Sequence, residues 1–137
     1  MFELKLDEAT LDRLTDVMSF MDGILESVDC PMRAQMQIDV AVEEIYVNIA
    51  SYAYAPGTGP ACLQVELRED PRTLLITFID SGVPYDPLAK PDPDISLPAS
   101  ERQIGGLGIF MVKKTMDDMI YEYKDGQNIL TLVKVLA

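Results

Sequence analysis

The chain has 137 residues, of which 48% are hydrophobic, and this composition suits one folded domain and excludes a disordered tail. Its 23 acidic and 11 basic residues give a formal net charge of −12 at pH 7, which argues against direct contact with nucleic acid or an anionic membrane, although the acidity also serves solubility. There is no histidine, and Cys30 and Cys62 lie outside any C-x-x-C pair, so a serine–histidine triad is excluded and a zinc or redox site is not expected.

The first thirty residues predict a short strand and an amphipathic helix. Residues 2–6 (FELKL) alternate between apolar and polar side chains, as a strand does. Apolar residues then recur three or four positions apart from Leu11 to Val28, which predicts a helix with one apolar stripe. The charged start MFELKLDEAT has no apolar signal segment, and no run approaches the ~18 apolar residues of a membrane span, so we expect a cytoplasmic protein.

The next segment predicts a second helix followed by two strands. Pro31 suits the first turn of a helix, which we expect to continue to about Ala53, before the break at Pro56-Gly57. Residues 62–68 alternate like a strand with one wet face, and residues 73–79 are mostly apolar, as in a central strand. The wet face favours an antiparallel sheet over a doubly wound parallel one.

A proline-rich segment separates these strands from the rest of the chain. Residues 82–103 hold five of the nine prolines, and a connection of this length is unusual within a compact domain. Such a loop is either a functional lid or a disordered insert. We interpret residues at about 83–104 as a lid, because candidate ligand-binding residues flank them on both sides.

The remaining residues predict one helix and a β-hairpin. Residues 105–108 (GGLG) open a short helix, and residues 119–124 and 127–136 form two strands joined by Asp125-Gly126, a strong hairpin signal. The predicted order β–α–α–β–β–lid–α–β–β segregates helices from strands. For residues 1–137 we therefore expect a single α+β domain, a two-layer sandwich with helices packed on one face of a mixed, mostly antiparallel sheet.

Two polar residues stand at the edge of the second helix's apolar stripe. Glu44 and Asn48 are one turn apart, at roughly 100° and 60° around the helix from the apolar Ile45. A half-buried carboxylate and amide need partners, which neighbouring backbone groups could supply. Alternatively, the Asn48 oxygen binds Mg²⁺, and Glu44 accepts a proton from an attacking hydroxyl or water.

The segment FIDSGVPYD, residues 78–86, ends a strand at Asp80 and follows it with Gly82. One interpretation is an ordinary turn in which the aspartate accepts a hydrogen bond from its own backbone. The other is base recognition, in which the carboxylate accepts a hydrogen bond from the exocyclic amine of adenine. Gly82 would then let the purine lie close to the backbone.

The segment IGGLGIFMVKK, residues 104–114, places glycines directly before a helix. Gly105, Gly106, Leu107 and Gly108 would leave free N–H groups at the positive end of that helix, where phosphate binds readily. The spacing matches neither a P-loop nor the dinucleotide fingerprint, so the segment is not specific on its own.

These motifs form an ordered set: a Glu-x-x-x-Asn helix, a strand ending in Asp-x-Gly, a long connection and a Gly-x-Gly helix start. The set resembles the GHKL, or histidine-kinase-like, ATPase superfamily. Within it, the small size, the tail DGQNILTLVKVLA and the stretch GGLGIFMVKKTMDDMIYEY are most similar to the anti-sigma-factor serine/threonine kinases. The resemblance covers roughly residues 5–135 and implies a sandwich that binds ATP and Mg²⁺ between its helices and the lid.

The resemblance also implies roles for individual residues. Glu44 matches the general base, and Asn48 matches the asparagine that binds Mg²⁺. Asp80 matches the adenine-binding aspartate, with Gly82 beside it. Arg102 is the nearest candidate for a lid arginine that touches the γ-phosphate in family kinases. The other nucleotide contacts implied by the resemblance are Gly105, Gly106, Leu107, Gly108 and, on the last strand, Thr131.

Three functions are open at this point. The first is an Mg²⁺-ATP-dependent serine/threonine protein kinase in which Glu44 activates a Ser or Thr hydroxyl of a partner, by resemblance a STAS-domain anti-sigma-factor antagonist. The resemblance also points to a homodimer that could sequester a sigma factor. The second is a nucleotide-gated interaction module that binds ATP or ADP without phosphotransfer. The third is a structural domain in which Glu44, Asn48 and Asp80 play no part in nucleotide binding.

Overall fold

The computed structural model describes residues 1–89 and 106–136. A 3-10 turn (Leu11–Arg13) precedes the first α-helix, and a π-helical turn (Ile49–Ala53) continues the second. Most of the predicted lid, residues 90–104, lies outside the described residues. The helices and strands follow the predicted order: β1 (Phe2–Leu6), α1 (Leu14–Ser27), α2 (Met32–Asn48), β2 (Ala61–Arg68), β3 (Thr73–Asp80), α3 (Gly106–Thr115), β4 (Asp118–Lys124) and β5 (Gln127–Val135).

The five strands form one sheet in the order β1-β2-β3-β5-β4, and each of these neighbouring pairs is antiparallel. This arrangement confirms the predicted α+β class. The β4–β5 hairpin turns at Asp125 and Gly126, whose φ angles of 54° and 77° are tolerated best by glycine and by short polar side chains. Because β5 pairs with β3, the register places Asn128 directly opposite Asp80 at one end of the sheet.

Side-chain alternation along the strands puts the core on one face of the sheet. Alternate residues of β3 are buried, and so are alternate residues of β5 from Asn128 to Leu132. The helices cover this face, and burying an aliphatic side chain there contributes about 1.5–3 kcal/mol. Fully buried side chains come from both layers: Met21, Leu25, Ile38, Leu74, Ile76 and Leu132. The predicted two-layer sandwich is therefore confirmed.

The first helix differs from its prediction at its start. The apolar period begins at Leu11, yet the chain is α-helical only from Leu14. The Thr10 carbonyl accepts hydrogen bonds from the Arg13 N–H (3.1 Å) and the Tyr46 hydroxyl (2.6 Å), which holds the first turn in the tighter 3-10 form. In the part of the chain that the structure describes, no helix combines the length and apolarity needed to cross a membrane.

Two acidic side chains meet where α1 packs on α2. Asp39 on α2 faces Asp22 on α1, and Asp39 Oδ1 is buried without a hydrogen-bond partner among the described residues. Burial, with the hydrogen bond and the negative charge of Asp22, raises the pKa of Asp39 from its ordinary value of 3.8 to about 7. The folded state thus holds a proton at Asp39 that the unfolded chain releases as the pH rises.

We expect Asp39→Asn to stabilise the protein at alkaline pH. The raised pKa means that the Asp39 contribution to the free energy of unfolding falls as the pH rises from 3.8 to about 7 and stays low above it. The substitution should remove this loss, giving about 1 kcal/mol at pH 8 after allowance for solvent screening, and less at pH 5. Urea unfolding at both pH values measures it, with the exposed Glu43→Gln on the same helix as control. Parallel pH profiles for wild type and Asp39→Asn would contradict the expectation.

Candidate functional site

A cavity of about 420 Å³ opens between α2 and one end of the sheet. This volume falls within the range of small-molecule sites, and most of the lining side chains are apolar. The cavity reaches from the end of α2 to the first turns of α3 and is closed on one side by the residues that follow β3. Its lining residues are Ile45, Asn48, Ile49, Tyr52, Ala53, Phe78, Asp80, Val83, Pro84, Tyr85, Pro87, Ile109, Tyr121, Asn128 and Leu130.

Asp80 supplies the carboxylate of this cavity. Alternation along β3 turns it to the helix side of the sheet, where only 7% of the residue is exposed. Its Oδ1 accepts hydrogen bonds from the Gly82 N–H and from Asn128 Nδ2, both at 2.9 Å. The described part of the chain gives Oδ2 no hydrogen-bond partner. The turn interpretation therefore holds for one carboxylate oxygen, and the other is left for a ligand.

Gly82 is required for packing within the protein. A Cβ added at Gly82 would overlap the Ala53 backbone and side chain, so only glycine fits here. The next residue confirms the close approach, because the Val83 N–H donates to the Ala53 carbonyl at 3.0 Å. Residue 82 is therefore glycine because the turn after β3 contacts the end of the second helix. From the sequence we expected the glycine to make room for a purine instead.

Asn48 lies at the other end of the cavity, and Glu44 lies one helical turn before it on α2, outside the cavity lining. Both are half-buried on α2, and no backbone group among the described residues hydrogen-bonds to either side chain. Asn48 lines the cavity, one turn beyond Glu44. The Glu44 carboxylate instead lies against α3, where a Cβ on Gly108 would stand 2.7 Å from Glu44 Oε2 and closer still to Oε1. Glu44 therefore contacts the start of α3, whereas Asn48 lines the same cavity as Asp80.

The glycine segment begins α3, as predicted. Gly106, Leu107 and Gly108 form its first turn, which directs backbone N–H groups toward the same end of the molecule as Glu44. Gly105 and Arg102 lie outside the described residues. Of the predicted phosphate-binding residues, the structure thus brings Gly108 next to a predicted catalytic residue.

Thr131 does not reach the cavity. Its hydroxyl lies 3.1 Å from the Thr77 hydroxyl, and the two residues are cross-strand partners on β5 and β3. Neighbouring Leu130 and Leu132 are the buried residues of β5, so alternation turns Thr131 to the face of the sheet away from the helices. This placement corrects the expectation that Thr131 contacts the adenine pocket.

Asn128 is a candidate site residue that sequence reasoning missed. It is 6% exposed and lies beside Asp80, with its Nδ2 also donating to the Val83 carbonyl at 2.9 Å. Its Oδ1 accepts from the Tyr85 N–H at 3.0 Å and from the Tyr121 hydroxyl at 2.5 Å. A sequence signal existed: Asn128 is the one polar residue in the alternating set that continues through Leu130 and Leu132.

Tyrosine hydroxyls complete the polar rim of the cavity. Burial raises the pKa of Tyr121 above its ordinary value of 10.0, so its hydroxyl stays protonated and donates to Asn128 at neutral pH. Burial likewise raises the pKa of Tyr54, whose hydroxyl accepts from the Ser81 N–H at 2.7 Å and donates to the Pro60 carbonyl. The Asn128 side chain and the backbone N–H that follows Asp80 are therefore each held by a neutral tyrosine hydroxyl.

The side chains present fit a nucleotide with Mg²⁺. Among the described residues the Asn48 amide has no hydrogen-bond partner, and it faces the same cavity as Asp80 Oδ2. Within residues 1–89 and 106–136 no three acidic, cysteine or histidine side chains cluster as a metal site. Mg²⁺ takes few protein ligands and completes its shell with substrate phosphates and water, so the Asn48 oxygen would supply one protein ligand to a nucleotide-bound Mg²⁺.

Comparison with known proteins identifies related sequences. Residues 8–134 match the model of the histidine kinase-like ATPase domain. The serine/threonine-protein kinase BtrW of Bordetella bronchiseptica is 28% identical over 123 residues, 90% of this chain and 86% of that protein. The serine-protein kinase RsbW of Bacillus cereus strain AH187 is 32% identical over 95 residues, which span 66% of this chain and 58% of RsbW.

Two solved structures share the fold. The RsbU and RsbW domains of Rv1364c from Mycobacterium tuberculosis superpose with a TM-score of 0.67 at 16% identity, over 99% of this chain and 33% of that one. The SiaB–SiaC complex from Pseudomonas aeruginosa superposes with a TM-score of 0.60 at 15% identity, over 96% of this chain and 89% of the matched one. At these identities the likeness establishes the fold alone.

The contact between Glu44 and α3 can be tested by adding a methyl group at Gly108. We expect Gly108→Ala to lower the free energy of unfolding by no more than about 1 kcal/mol, because the overlapping Glu44 carboxylate is the end of a flexible side chain that turns aside and loses its contact with α3. Adding Glu44→Ala to Gly108→Ala should recover most of this loss. Gly23→Ala is the control, since its Cβ meets no atom within 4 Å and should stabilise α1 by up to about 1 kcal/mol. Urea unfolding of the four proteins measures these effects, and the absence of rescue would contradict the contact.

Proposed function

The chain belongs to the family of histidine kinase-like ATPase domains, and from that premise we propose that it is an Mg²⁺-ATP-dependent serine/threonine protein kinase of the anti-sigma-factor type. The observation that carries the proposal is the arrangement of three polar groups. Asp80 and Asn48 line one apolar cavity, and Glu44 stands one helical turn beyond Asn48, against the start of α3. BtrW and RsbW, the kinases that this chain is similar to, support the reaction class.

Asp80 would bind the adenine base of ATP. Its free Oδ2 accepts a hydrogen bond from the exocyclic amine, while Oδ1 is held by the Gly82 N–H and Asn128. Apolar side chains such as Ile49 and Phe78 line the same cavity and would cover the faces of the base. A hydrogen bond to a charged acceptor contributes about 1.5–3 kcal/mol, enough to orient the base before the phosphates are engaged.

Asn48 and the first turn of α3 would hold the phosphates. The Asn48 amide oxygen would hold Mg²⁺, which would supply positive charge to the phosphates. The N–H groups of Gly106 to Gly108 lie at the positive end of a helix, where they stabilise an anionic oxygen. Phosphoryl transfer depends mainly on positioning and electrostatic stabilisation, which these two elements provide.

Glu44 would act as the general base. Its carboxylate takes the proton from a Ser or Thr hydroxyl of the partner while that oxygen attacks the γ-phosphorus of ATP, and the bond to the bridging oxygen of ADP breaks. Gly108 allows the carboxylate to lie directly against α3, so the base and the phosphate-binding backbone are adjacent. Such a base typically contributes about 10²–10⁴-fold to the rate.

The proposed phosphate acceptor is a STAS-domain anti-sigma-factor antagonist, and a sigma factor is a proposed second partner. Both rest on the resemblance to anti-sigma-factor kinases and on the similarity to RsbW. The P. aeruginosa structural neighbour was solved as a SiaB–SiaC complex, which supports a protein partner for this fold. The reaction would take place in the cytoplasm, where Mg²⁺ and ATP are available.

We also propose a homodimer that forms through the face of the sheet away from the helices. This face carries apolar residues on its two central strands, in the cross-strand pairs Leu75–Val133 and Ile79–Ile129. Ile120, on the adjoining strand, is 52% exposed. An uncovered sheet face with this composition favours burial against a second apolar surface.

A second candidate function is a nucleotide-gated interaction module. It is favoured by the position of Glu44, which does not line the described cavity although Asn48 and Asp80 do. In this alternative the cavity binds ATP or ADP, and occupancy alone changes the affinity for a partner. The two functions differ in one respect, which is whether the Glu44 carboxylate is needed.

Two substitutions separate binding from transfer. We expect Asp80→Asn to weaken ADP binding by at least about tenfold, because the substitution removes the charged acceptor for the exocyclic amine. We expect Glu44→Gln to leave ATP affinity within about threefold of wild type and to lower phosphotransfer by about 10²–10⁴-fold. Calorimetry measures affinity, and transfer of labelled γ-phosphate to a candidate STAS protein measures activity.

The exposed Glu43→Gln is the matched control and should resemble wild type in both assays. Phosphotransfer that survives Glu44→Gln would remove the base from the mechanism. Retained nucleotide-dependent release of the partner in the absence of any transfer would favour the interaction module. No binding of ATP or ADP to folded protein would contradict both functions.

The proposed dimer predicts an effect of charge on the open sheet face. We expect wild type to sediment with twice the mass of the chain and Ile129→Lys to sediment as a monomer, because each copy would have to bury an unpaired lysine charge in the apolar interface. Met36→Lys is the control, since Met36 is an equally apolar residue on the helix side and is 64% exposed. Dissociation by Met36→Lys instead would assign the interface to the helices.

A further inference from the structure

We infer that Asn128 is a positioning residue that orients Asp80 and thereby sets the preference of the cavity for a base with an amino group. The inference rests on the proposed nucleotide site and goes beyond it by naming the origin of base selectivity. Asn128 and Asp80 are cross-strand partners on β5 and β3, and both are more than nine-tenths buried. Their contact is a side-chain hydrogen bond of 2.9 Å.

The Asn128 amide is fully occupied by the protein. Its two N–H groups donate to Asp80 Oδ1 and to the Val83 carbonyl, both at 2.9 Å. Its oxygen accepts from the Tyr85 N–H and the Tyr121 hydroxyl. An amide side chain has two donors and two lone pairs, so no capacity remains for a ligand. Asn128 therefore acts on the base through Asp80.

Only one orientation of the amide satisfies these contacts. A flipped Asn128 would direct its oxygen at the Asp80 carboxylate and the Val83 carbonyl, which are both acceptors. It would also direct N–H groups at the Tyr85 N–H. The backbone groups of Val83 and Tyr85 thus fix the orientation in which the Asn128 N–H group faces Asp80. This holds Asp80 Oδ1 in place and leaves Oδ2 as the acceptor that the Asp80–Asn128 pair presents to the cavity.

A purely structural role does not account for this residue. The same buried row of β5 continues with Leu130 and Leu132, so a leucine at 128 would extend the apolar core. An amide in this position needs four partners, and a partly satisfied buried network destabilises the fold. These four hydrogen bonds have a use if they orient the Asp80 carboxylate to accept a hydrogen bond from a base that carries an amino group. An amine at position 6 of a purine donates to Oδ2, whereas a keto oxygen would face it as a second acceptor.

The first test compares ADP with IDP, which differ at position 6 of the purine. Wild type should bind ADP at least about tenfold more tightly than IDP, because the keto oxygen of IDP leaves the carboxylate unpaired. Asn128→Ala should bring the ratio of the two dissociation constants near unity, because Asp80 is no longer held. Gln127→Ala, one residue away and exposed, should keep the wild-type ratio. Calorimetry with both diphosphates measures these ratios.

A second variant keeps the test valid if Asn128→Ala fails to fold. Asn128→Asp has nearly the same shape but sets a carboxylate against Asp80, and two facing carboxylates cannot both ionise at low cost. ADP binding should therefore be weakened at about pH 8 and at least partly restored near pH 5.5, where one shared proton replaces the lost donor. Gln127→Glu makes the same chemical change at an exposed site and should follow the wild-type pH profile.

The outcomes are distinct. Loss of base discrimination in Asn128→Ala, or acid recovery limited to Asn128→Asp, supports the positioning role. If wild type discriminates and Asn128→Ala keeps the same ratio, or Asn128→Asp follows the wild-type pH profile, the inference is overturned while nucleotide binding stands. If folded wild type binds neither diphosphate, the proposed function fails first.

Discussion

The hydrogen bond between Asp80 and Asn128 is the constraint on which this site depends. A carboxylate that is 7% exposed at the rim of an apolar cavity is costly unless donors surround it. The antiparallel pairing of β3 with β5 supplies one donor opposite it, and the turn after β3 supplies the Gly82 N–H. That turn has to approach the end of the second helix so closely that residue 82 must be glycine. Sheet register, turn and helix end are thus determined together.

Local patterns predicted the layers and part of the site. Helical periodicity put Glu44 and Asn48 on one shoulder of α2, and the strand that ends at Asp80 placed a carboxylate at one end of the sheet, because both inferences depend on residues close in sequence. Asn128 was missed because its contact with Asp80 arises from pairing with a strand 48 residues away. Thr131 was assigned to the adenine pocket by the family resemblance, although its side chain lies on the other face of the sheet.

The cavity is divided between groups held rigidly and groups left unpaired. At the end that holds Asp80 and Asn128, Asp80 Oδ2 is the one side-chain polar atom of the pair without a hydrogen bond among the described residues. At the other end Asn48 has no such partner in the described part of the chain, and neither does Glu44, which lies one turn before Asn48 on the same helix and outside the cavity lining. A site that recognises a base needs fixed donors and acceptors, whereas a metal ligand and a general base need free lone pairs. The two ends match these two requirements.

The acidity of the chain would affect how a phosphorylated partner dissociates. The net charge is −12, from 23 acidic and 11 basic residues. Transfer adds about 1.5–2 negative charges to the partner at the point of contact. An acidic surface repels that product more than it repels the unmodified partner, and salt screens the difference. Under the proposed function, the same negative charge would therefore help to release the phosphorylated partner, so product release would follow from the composition of the surface.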